Sequence, residues 1–262
     1  MRTRLDAELV RRGLARSRDH AVDLIESSSV LVSGIPATKP ATQVNPETSI
    51  QIADKRDDYV SRGGHKLAGA LDAFPEITIS GKRCLDAGAS TGGFTDVLLK
   101  RGADRVIAVD VGYGQLAWEL QQDPRVEIHD RTNVRLISPD LITDPVDIVV
   151  ADLSFISLTL VISALASVAK ESADFLLMVK PQFEVGRENL GAGGVVRDPK
   201  LRKAAISTVA DVAFNNGLGT AGIVASPLPG PSGNVEYFLW LRRGAARIVD
   251  SEIEAAIAKG PQ

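Results

Sequence analysis

The chain has 262 residues, 44% hydrophobic and 24% charged, which suits a soluble globular protein with one α/β domain and a smaller module. Its single cysteine, Cys84, excludes an internal disulfide and a cysteine-based zinc site and fits a reducing cytoplasm, where we expect the chain to act. The net charge of −3 argues against RNA binding through bulk charge, so any attraction for phosphate must come from a local basic face.

The first part of the chain is the more basic one, with eleven Lys or Arg against nine acids in residues 1–66. Apolar residues at spacings of three and four over 4–27 predict helices, the first ended by Gly13 and the second capped by Ser17. Residues 30–32 and 48–52 are typical of strands. We therefore predict a small α+β domain over residues 1–55 and, because a charged run follows, a linker over residues 56–63.

Strands and helices alternate after the linker. Strands are predicted at 82–86, 105–109, 126–129, 147–151, 175–179, 222–225 and 236–241. Helices are predicted at 94–100, at 157–170 and, from the Asp198-Pro199 pair, up to Asn215. Repeated βα units predict a doubly wound, mostly parallel sheet over residues 64–262, with its ligands at the carboxyl ends of the strands.

One uncharged run of seventeen residues, Leu153 to Ala169, is at the lower limit for a membrane-spanning helix. Five hydroxyl side chains interrupt it, which favours a loop followed by a buried helix. We expect no stable membrane insertion.

A glycine-rich turn, LDAGASTGGFT, joins the first strand of this domain to a helix. Gly88 and Gly92 allow close approach of a ligand to the backbone, and Asp110 follows the next strand, where a carboxylate can accept ribose hydroxyls. This combination favours a cofactor that contains adenosine. The turn lacks the Gly-x-Gly-x-x-Gly of dinucleotide enzymes and the Gly-Lys-Ser/Thr of P-loops, and its form resembles the S-adenosylmethionine turn of Rossmann-like methyltransferases. The alternative is a turn that serves only helix–strand packing.

Four ionisable residues are predicted to meet at the same edge of the sheet: Lys66, Asp152, Lys180 and Glu236. Alternating cations and carboxylates suit removal of a proton from an alcohol, because a second ammonium and a partly dry site lower the pKa of a lysine. The alternative for each residue taken alone is a surface salt bridge. The three histidines have no metal-ligand spacing, so we expect no metal site.

The Lys-Asp-Lys-Glu set resembles that of the FtsJ-like ribose 2′-O-methyltransferases, and with the first module the chain is similar to the TlyA family, which has an S4-like RNA-binding domain. The segments that carry the resemblance include LDAGASTGGFTDVLL, VDVGYGQLAW, VVADLSFISL, VKPQFE and SPLPGPSGNVEYFLWLR. They span nearly the whole chain, from about Arg4 to Arg242. Members of the family are described both as 2′-O-methyltransferases of cytidine in ribosomal RNA and as haemolysins.

The resemblance implies catalytic roles for Lys66, Asp152, Lys180 and Glu236. Contacts with S-adenosylmethionine are implied for Asp86, Gly88, Ser90, Thr91, Gly92, Phe94, Asp110 and Asp130. RNA contacts are implied for Arg4, Arg16, Arg18, Lys39 and Arg62. Phe155, just after Asp152, either stacks on an extruded base or packs in the core.

The function expected from these observations is S-adenosylmethionine-dependent 2′-O-methylation of cytidine in 16S or 23S ribosomal RNA, or both, with ribosomal subunits as partners. The target nucleotide would leave its stack to enter the cleft. Lys180 would take the 2′-proton, Lys66 would orient the hydroxyl, and the two acids would fix the lysines. Two alternatives stand beside it: a pore-forming cytolysin, which needs a membrane-compatible segment, and an RNA-binding scaffold without activity.

Overall fold

The computed structural model describes residues 3–26, 29–52, 59–230 and 232–260. The chain divides into two compact units, residues 1–58 and 59–262. Residues 59–63, which the sequence assigns to the linker, thus belong to the second unit. The charged run at 54–58 lies outside the described residues.

The described residues of the first unit form two helices and five short strands. They are β1 (Thr3–Arg4), α1 (Leu5–Arg11), α2 (Arg18–Glu26), β2 (Val30–Val32), β3 (Ile35–Pro36), β4 (Gln43–Val44) and β5 (Ile50–Ile52). Gly13, at φ +71°, follows α1, and the Ser17 hydroxyl accepts the His20 N–H at the start of α2, as the sequence predicts. Strand β1 pairs with β4, and β2 pairs with β3 and β5. Apolar residues from both helices and from the strands pack into one small core.

Arg12 ties the end of α1 to the segment between β4 and β5. Its guanidinium donates to Glu8 Oε1 at 2.7 Å and to the carbonyl oxygens of Pro46 and Thr48 at 2.9 Å each. Arg11 also donates to Glu8, and these hydrogen bonds lower the pKa of Glu8 to about 2. Both arginines therefore support the fold of this unit.

The second unit contains a seven-stranded sheet in the order β11-β12-β10-β9-β6-β7-β8. Its strands are β6 (Arg83–Ala87), β7 (Arg105–Val109), β8 (Val126–His129), β9 (Val146–Ala151), β10 (Ala169–Val179), β11 (Leu218–Ala225) and β12 (Tyr237–Arg243). Its α-helices are α3 (Gly63–Ala73), α4 (Gly93–Lys100), α5 (Trp118–Gln121), α6 (Ile162–Ser167), α7 (Pro181–Glu184), α8 (Pro199–Asn215) and α9 (Asp250–Lys259).

The sheet is mostly parallel, and the predicted α/β fold is confirmed. Strands β10, β9, β6, β7 and β8 run parallel, whereas β12 lies antiparallel between β10 and β11. One face packs against α6, α8 and α9, and the other packs against α3, α4 and α5. Because Tyr237 pairs with Val179, the start of β12 lies at the carboxyl end of β10, beside the ends of the parallel strands.

The helix predicted over residues 157–170 is wrong in its extent. A 3₁₀ helix (Leu158–Leu160) precedes α6, which ends at Ser167, and β10 already begins at Ala169. Ala169 pairs with Val146 of β9, so sheet pairing outweighs the helical pattern of the run. Among the residues described, no helix is long and apolar enough to cross a membrane.

Candidate active site

The glycine-rich turn connects β6 to α4 and lies against the end of β9. Gly88 and Gly92 have φ of +88° and +96°, a region that favours glycine. A Cβ on Gly88 would lie 2.6 Å from the carbonyl oxygen of Asp152, so a side chain there would displace one of the two segments. Glycine is therefore required at this position for close approach as well as for backbone conformation.

A cavity of about 310 Å³ opens beside this turn, at the carboxyl ends of the strands. It brings together eight of the eighteen residues that the sequence singled out, and its lining consists of Ser61, Arg62, Gly63, Lys66, Gly88, Ala89, Ser90, Thr91, Gly93, Phe94, Asp152, Ser154 and Lys180. A larger cavity of about 860 Å³ lies between α8, α9 and the segment before β12, but none of the four ionisable candidates lines it. We place the site in the smaller cavity, because the predicted turn and three of those four residues line it.

Lys66 and Glu236 form a buried ion pair, with 2.6 Å between Nζ and Oε2. Only 5% of Lys66 and 1% of Glu236 is exposed. Lys66 lies in the second turn of α3, and the glycines at the starts of α3 and α4 bring the two helices together, since a Cβ on Gly93 would overlap Ser61 and Gly64. Glu236 does not itself line the cavity, and it acts on the site through Lys66.

Lys180 follows β10 directly and makes a second ion pair, 2.5 Å from Asp152 Oδ1. Its ammonium also donates to Ser154 Oγ at 2.9 Å. Sequence analysis did not identify Ser154 as a site residue. Its position two residues after Asp152, in a loop that follows a strand, could have indicated it. Each lysine of the set is thus held by one carboxylate, as expected for residues that must keep a fixed geometry.

Asp86 lies beneath the turn and does not line the cavity. The Thr95 hydroxyl donates to its Oδ2 at 2.7 Å, whereas Oδ1 has no hydrogen-bond partner among the described residues. Complete burial raises the pKa of Asp86 to about 7. Its hydrogen bond with Thr95 joins β6 to the start of α4, and its contact with a cofactor remains a prediction.

Asp110 and Asp130 follow the neighbouring strands β7 and β8. Both carboxylate oxygens of Asp110 accept backbone N–H groups, from Ser90 at 2.9 Å and Gly112 at 2.7 Å. Asp130 accepts the N–H of Gly114 at 2.8 Å. These two acids and Gly92 do not line the 310 Å³ cavity. The acids lie in the loops that follow β7 and β8.

Phe155 is 92% exposed and has a φ of +64°, so the core-packing alternative for this residue is wrong. Its ring lies 5.2 Å from that of Phe183, centroid to centroid. Arg62 lines the cavity and donates to the carbonyl oxygen of Pro229 at 3.3 Å. An exposed ring and a cation therefore border the site.

The RNA candidates of the first unit differ in their surroundings. Arg4 and Arg18 both lie near Asp6, at 2.8 and 3.7 Å, and keep 47% and 62% of their side chains exposed. Arg16 and Lys39 are exposed. These four cations remain predicted contacts for RNA. Within the described ranges, no group of three His, Cys, Asp or Glu side chains has the geometry to hold a metal ion.

Comparison with known proteins gives two family matches. The FtsJ-like methyltransferase family matches residues 59–243, and the S4 domain matches residues 3–50. The chain is 55% identical, over 266 residues and 99% of both chains, to a Mycobacterium tuberculosis (strain CDC 1551 / Oshkosh) protein named 16S/23S rRNA (cytidine-2′-O)-methyltransferase TlyA.

Two further similarities extend over most of the chain. A Bacillus subtilis protein, YqxC, described as a candidate rRNA methyltransferase, is 40% identical, with 91% of this chain and 85% of that protein covered. The solved structure of a Streptococcus thermophilus protein, described as a candidate hemolysin, is 35% identical with a TM-score of 0.78 and covers 98% of this chain and 95% of that one.

Proposed function

We propose, since this chain belongs to the FtsJ-like methyltransferase family and shares the S4 domain of the TlyA proteins, that it methylates the ribose 2′-hydroxyl of cytidine in ribosomal RNA. The observation that carries the proposal is the pair of ion pairs at one cavity: Lys66 with Glu236 and Lys180 with Asp152. The substrate is taken from the name of the relative in Mycobacterium tuberculosis, which specifies 16S and 23S rRNA.

The methyl donor in this proposal is S-adenosylmethionine, which supplies an electrophilic methyl group. The glycine turn fits such a ligand, because Gly88, Ser90 and Thr91 line the cavity and Gly88 has no side chain to keep a ligand from the backbone. The start of α4 lies nearby, since Gly93 and Phe94 also line the cavity, and a helix amino terminus favours polar ligand groups. The residues proposed to hold the donor are those of the turn, with Asp110 at its ribose and Asp130 near its adenine.

The lysines do the proton chemistry. Lys180, held by Asp152 and Ser154, accepts the proton of the 2′-hydroxyl. Lys66, fixed by Glu236, orients the hydroxyl oxygen. Both lysines are nearly buried, and exclusion of water strengthens each of these interactions.

The remaining candidates serve the RNA. Arg4, Arg16, Arg18 and Lys39 of the first unit contact phosphates of structured RNA, and Arg62 and Phe155 meet the nucleotide at the cavity. Ribosomal RNA within ribosomal subunits is the proposed partner, and the cytoplasm is the proposed location.

The test is methyl transfer to ribosomal RNA by the purified full chain, with the product identified as a 2′-O-methylcytidine. Lys180→Ala should lower the rate by about 10²–10⁴-fold, the usual contribution of a general base, while calorimetry shows retained donor binding. Lys200→Ala, which removes an exposed lysine at the start of α8, is the matched control and should retain the wild-type rate. A methyl group on the base, or full activity of Lys180→Ala, would contradict the proposal.

A further inference from the structure

The loop between β9 and the following 3₁₀ helix carries three residues of the site. Asp152 and Ser154 contact Lys180, and between them and the helix lies Phe155, at φ +64°. A bulky residue seldom adopts this left-handed conformation, and it persists only where the surroundings hold the backbone. The question is therefore which contacts hold the loop.

The amino end of the loop is held by the sheet, since the Asp152 N–H donates to the carbonyl oxygen of Ala87 at 3.1 Å. The other end is held by one carboxylate. Glu184 Oε1 accepts the Leu158 N–H at 2.9 Å, and Oε2 accepts the Ser157 hydroxyl at 2.5 Å. The same hydroxyl oxygen accepts the Thr159 N–H at 3.1 Å, so it also caps the 3₁₀ helix.

Glu184 is the last residue of α7, which begins directly after Lys180. Lys180 and the short helix that follows it therefore contact the loop at three points. Lys180 binds Ser154, Phe183 lies beside Phe155, and Glu184 binds the two residues that end the loop. Through these contacts, displacement of the carboxylate would be transmitted to the exposed Phe155 ring.

We propose that Glu184 is a positioning residue for methyl transfer, which fixes the loop so that Phe155 is presented to the RNA nucleotide. This inference rests on the proposed function. Glu184 has no place in the cavity lining, and it acts only through the loop. Burial raises the pKa of its carboxyl, which is consistent with a group that has exchanged water for these two protein donors.

The experiment compares Glu184→Ala, Glu184→Gln and Phe155→Ala with the double variant Glu184→Ala/Phe155→Ala in the full chain. Rates and KM are measured with ribosomal RNA, and donor affinity and the melting temperature are measured separately. Glu184→Ala should lower kcat/KM for RNA by about 10- to 100-fold, as for a group displaced by about 1 Å, with donor affinity unchanged. Glu184→Gln should recover most of the activity, because its amide accepts from Leu158 and donates to Ser157.

The double variant separates positioning from general support of the fold. If Glu184 acts through Phe155, the double variant should be no slower than Phe155→Ala alone. Glu188→Ala is the matched control, since it removes an exposed carboxylate from the next turn of the same segment, and it should retain wild-type kcat/KM. If Glu184→Ala fails to fold, Ser157→Ala takes its place in the test, because it removes one of the two hydrogen bonds to Glu184. It should lower kcat/KM by a smaller factor than expected for Glu184→Ala, and it should cause no further loss when Phe155→Ala is already present.

Additive losses in the double variant would overturn the proposal, as would a parallel fall in donor affinity or an unchanged kcat/KM in Glu184→Ala. These results leave methyl transfer by the wild-type chain in place. A wild-type chain that transfers no methyl group to ribosomal RNA would instead overturn the proposed function, and this inference with it.

Discussion

The buried ion pair between Lys66 and Glu236 predicts a large and specific loss of stability on removal of one partner. The pair joins α3 to the residue before β12, with 2.6 Å between charged atoms and exposures of 5% and 1%. Glu236→Gln keeps the size of the side chain and leaves the Lys66 ammonium buried without a carboxylate. Removal of one partner from such a pair costs about 3–5 kcal/mol.

Urea unfolding followed by tryptophan fluorescence measures this loss in the second unit alone, because the two tryptophans of the chain, Trp118 and Trp240, both lie there. For a domain of this size, the free energy of unfolding falls by about 3 kcal/mol per molar urea, the upper end of the usual range for small proteins. The midpoint of Glu236→Gln should therefore lie about 1–1.7 M below that of the wild type.

Two further variants test the reasoning. Lys66→Met/Glu236→Gln removes both charges and should recover at least half of the loss, since no ion then remains buried alone. Glu254→Gln breaks a pair with Lys203 that has the same 2.6 Å separation but is 62% exposed on the acid, and it should cost less than about 1 kcal/mol. The argument would be refuted if Glu236→Gln were as stable as Glu254→Gln. It would also be refuted if Lys66→Met/Glu236→Gln were as unstable as Glu236→Gln.

Two other predictions concern the turn. Burial raises the pKa of Asp86 from 3.8 to about 7, so the contribution of Asp86 to stability is fully present below about pH 4 and falls by up to about 4 kcal/mol as the pH rises to 7. Between these pH values, the difference in urea midpoint between Asp86→Asn and the wild type should therefore change in favour of the variant, and a constant difference would contradict this. Gly88→Ala should abolish donor binding in calorimetry and should lower the free energy of unfolding by more than Gly81→Ala. Gly81 is the control because it also has a positive φ, but a Cβ there would have no atom within 4 Å. Equal losses of unfolding free energy in the two variants would contradict the steric argument.

Much of this architecture could be predicted from the sequence because each signal was local. The apolar strands, which alternate with helices, end in or just before Asp86, Asp110 and Asp152, and the glycine turn follows Asp86. The periodicity of buried strands fixes which segments enter the sheet, and parallel strands bring their carboxyl ends to one edge. The convergence of Asp152 and Lys180 on one cavity follows from that geometry, whereas Lys66 reaches the cavity from α3.

The sequence predicts that the two acids hold the two lysines, but which acid pairs with which lysine could not be predicted, because the pairing depends on topology and on loop conformation. Glu236 reaches Lys66 across 170 positions only because β12 is inserted antiparallel beside β10. The contacts of Glu184 with Ser157 and Leu158 need a left-handed residue in the loop, for which the sequence gives no signal. The helix predicted over 157–170 is too long because the last residues of that range belong to β10, which pairs with β9.

Arg12 shows how an alanine scan of the first unit should be interpreted. Its guanidinium donates to Glu8 and to three carbonyl oxygens, so truncation would loosen the segment between β4 and β5 and lower RNA affinity without removing any phosphate contact. At the exposed Arg16 and Lys39, substitution by alanine would remove one positive charge and leave the fold of the unit unchanged. The electrostatic potential of the module is therefore set by fewer cations than its arginine count suggests, and salt dependence of binding distinguishes the two kinds of loss.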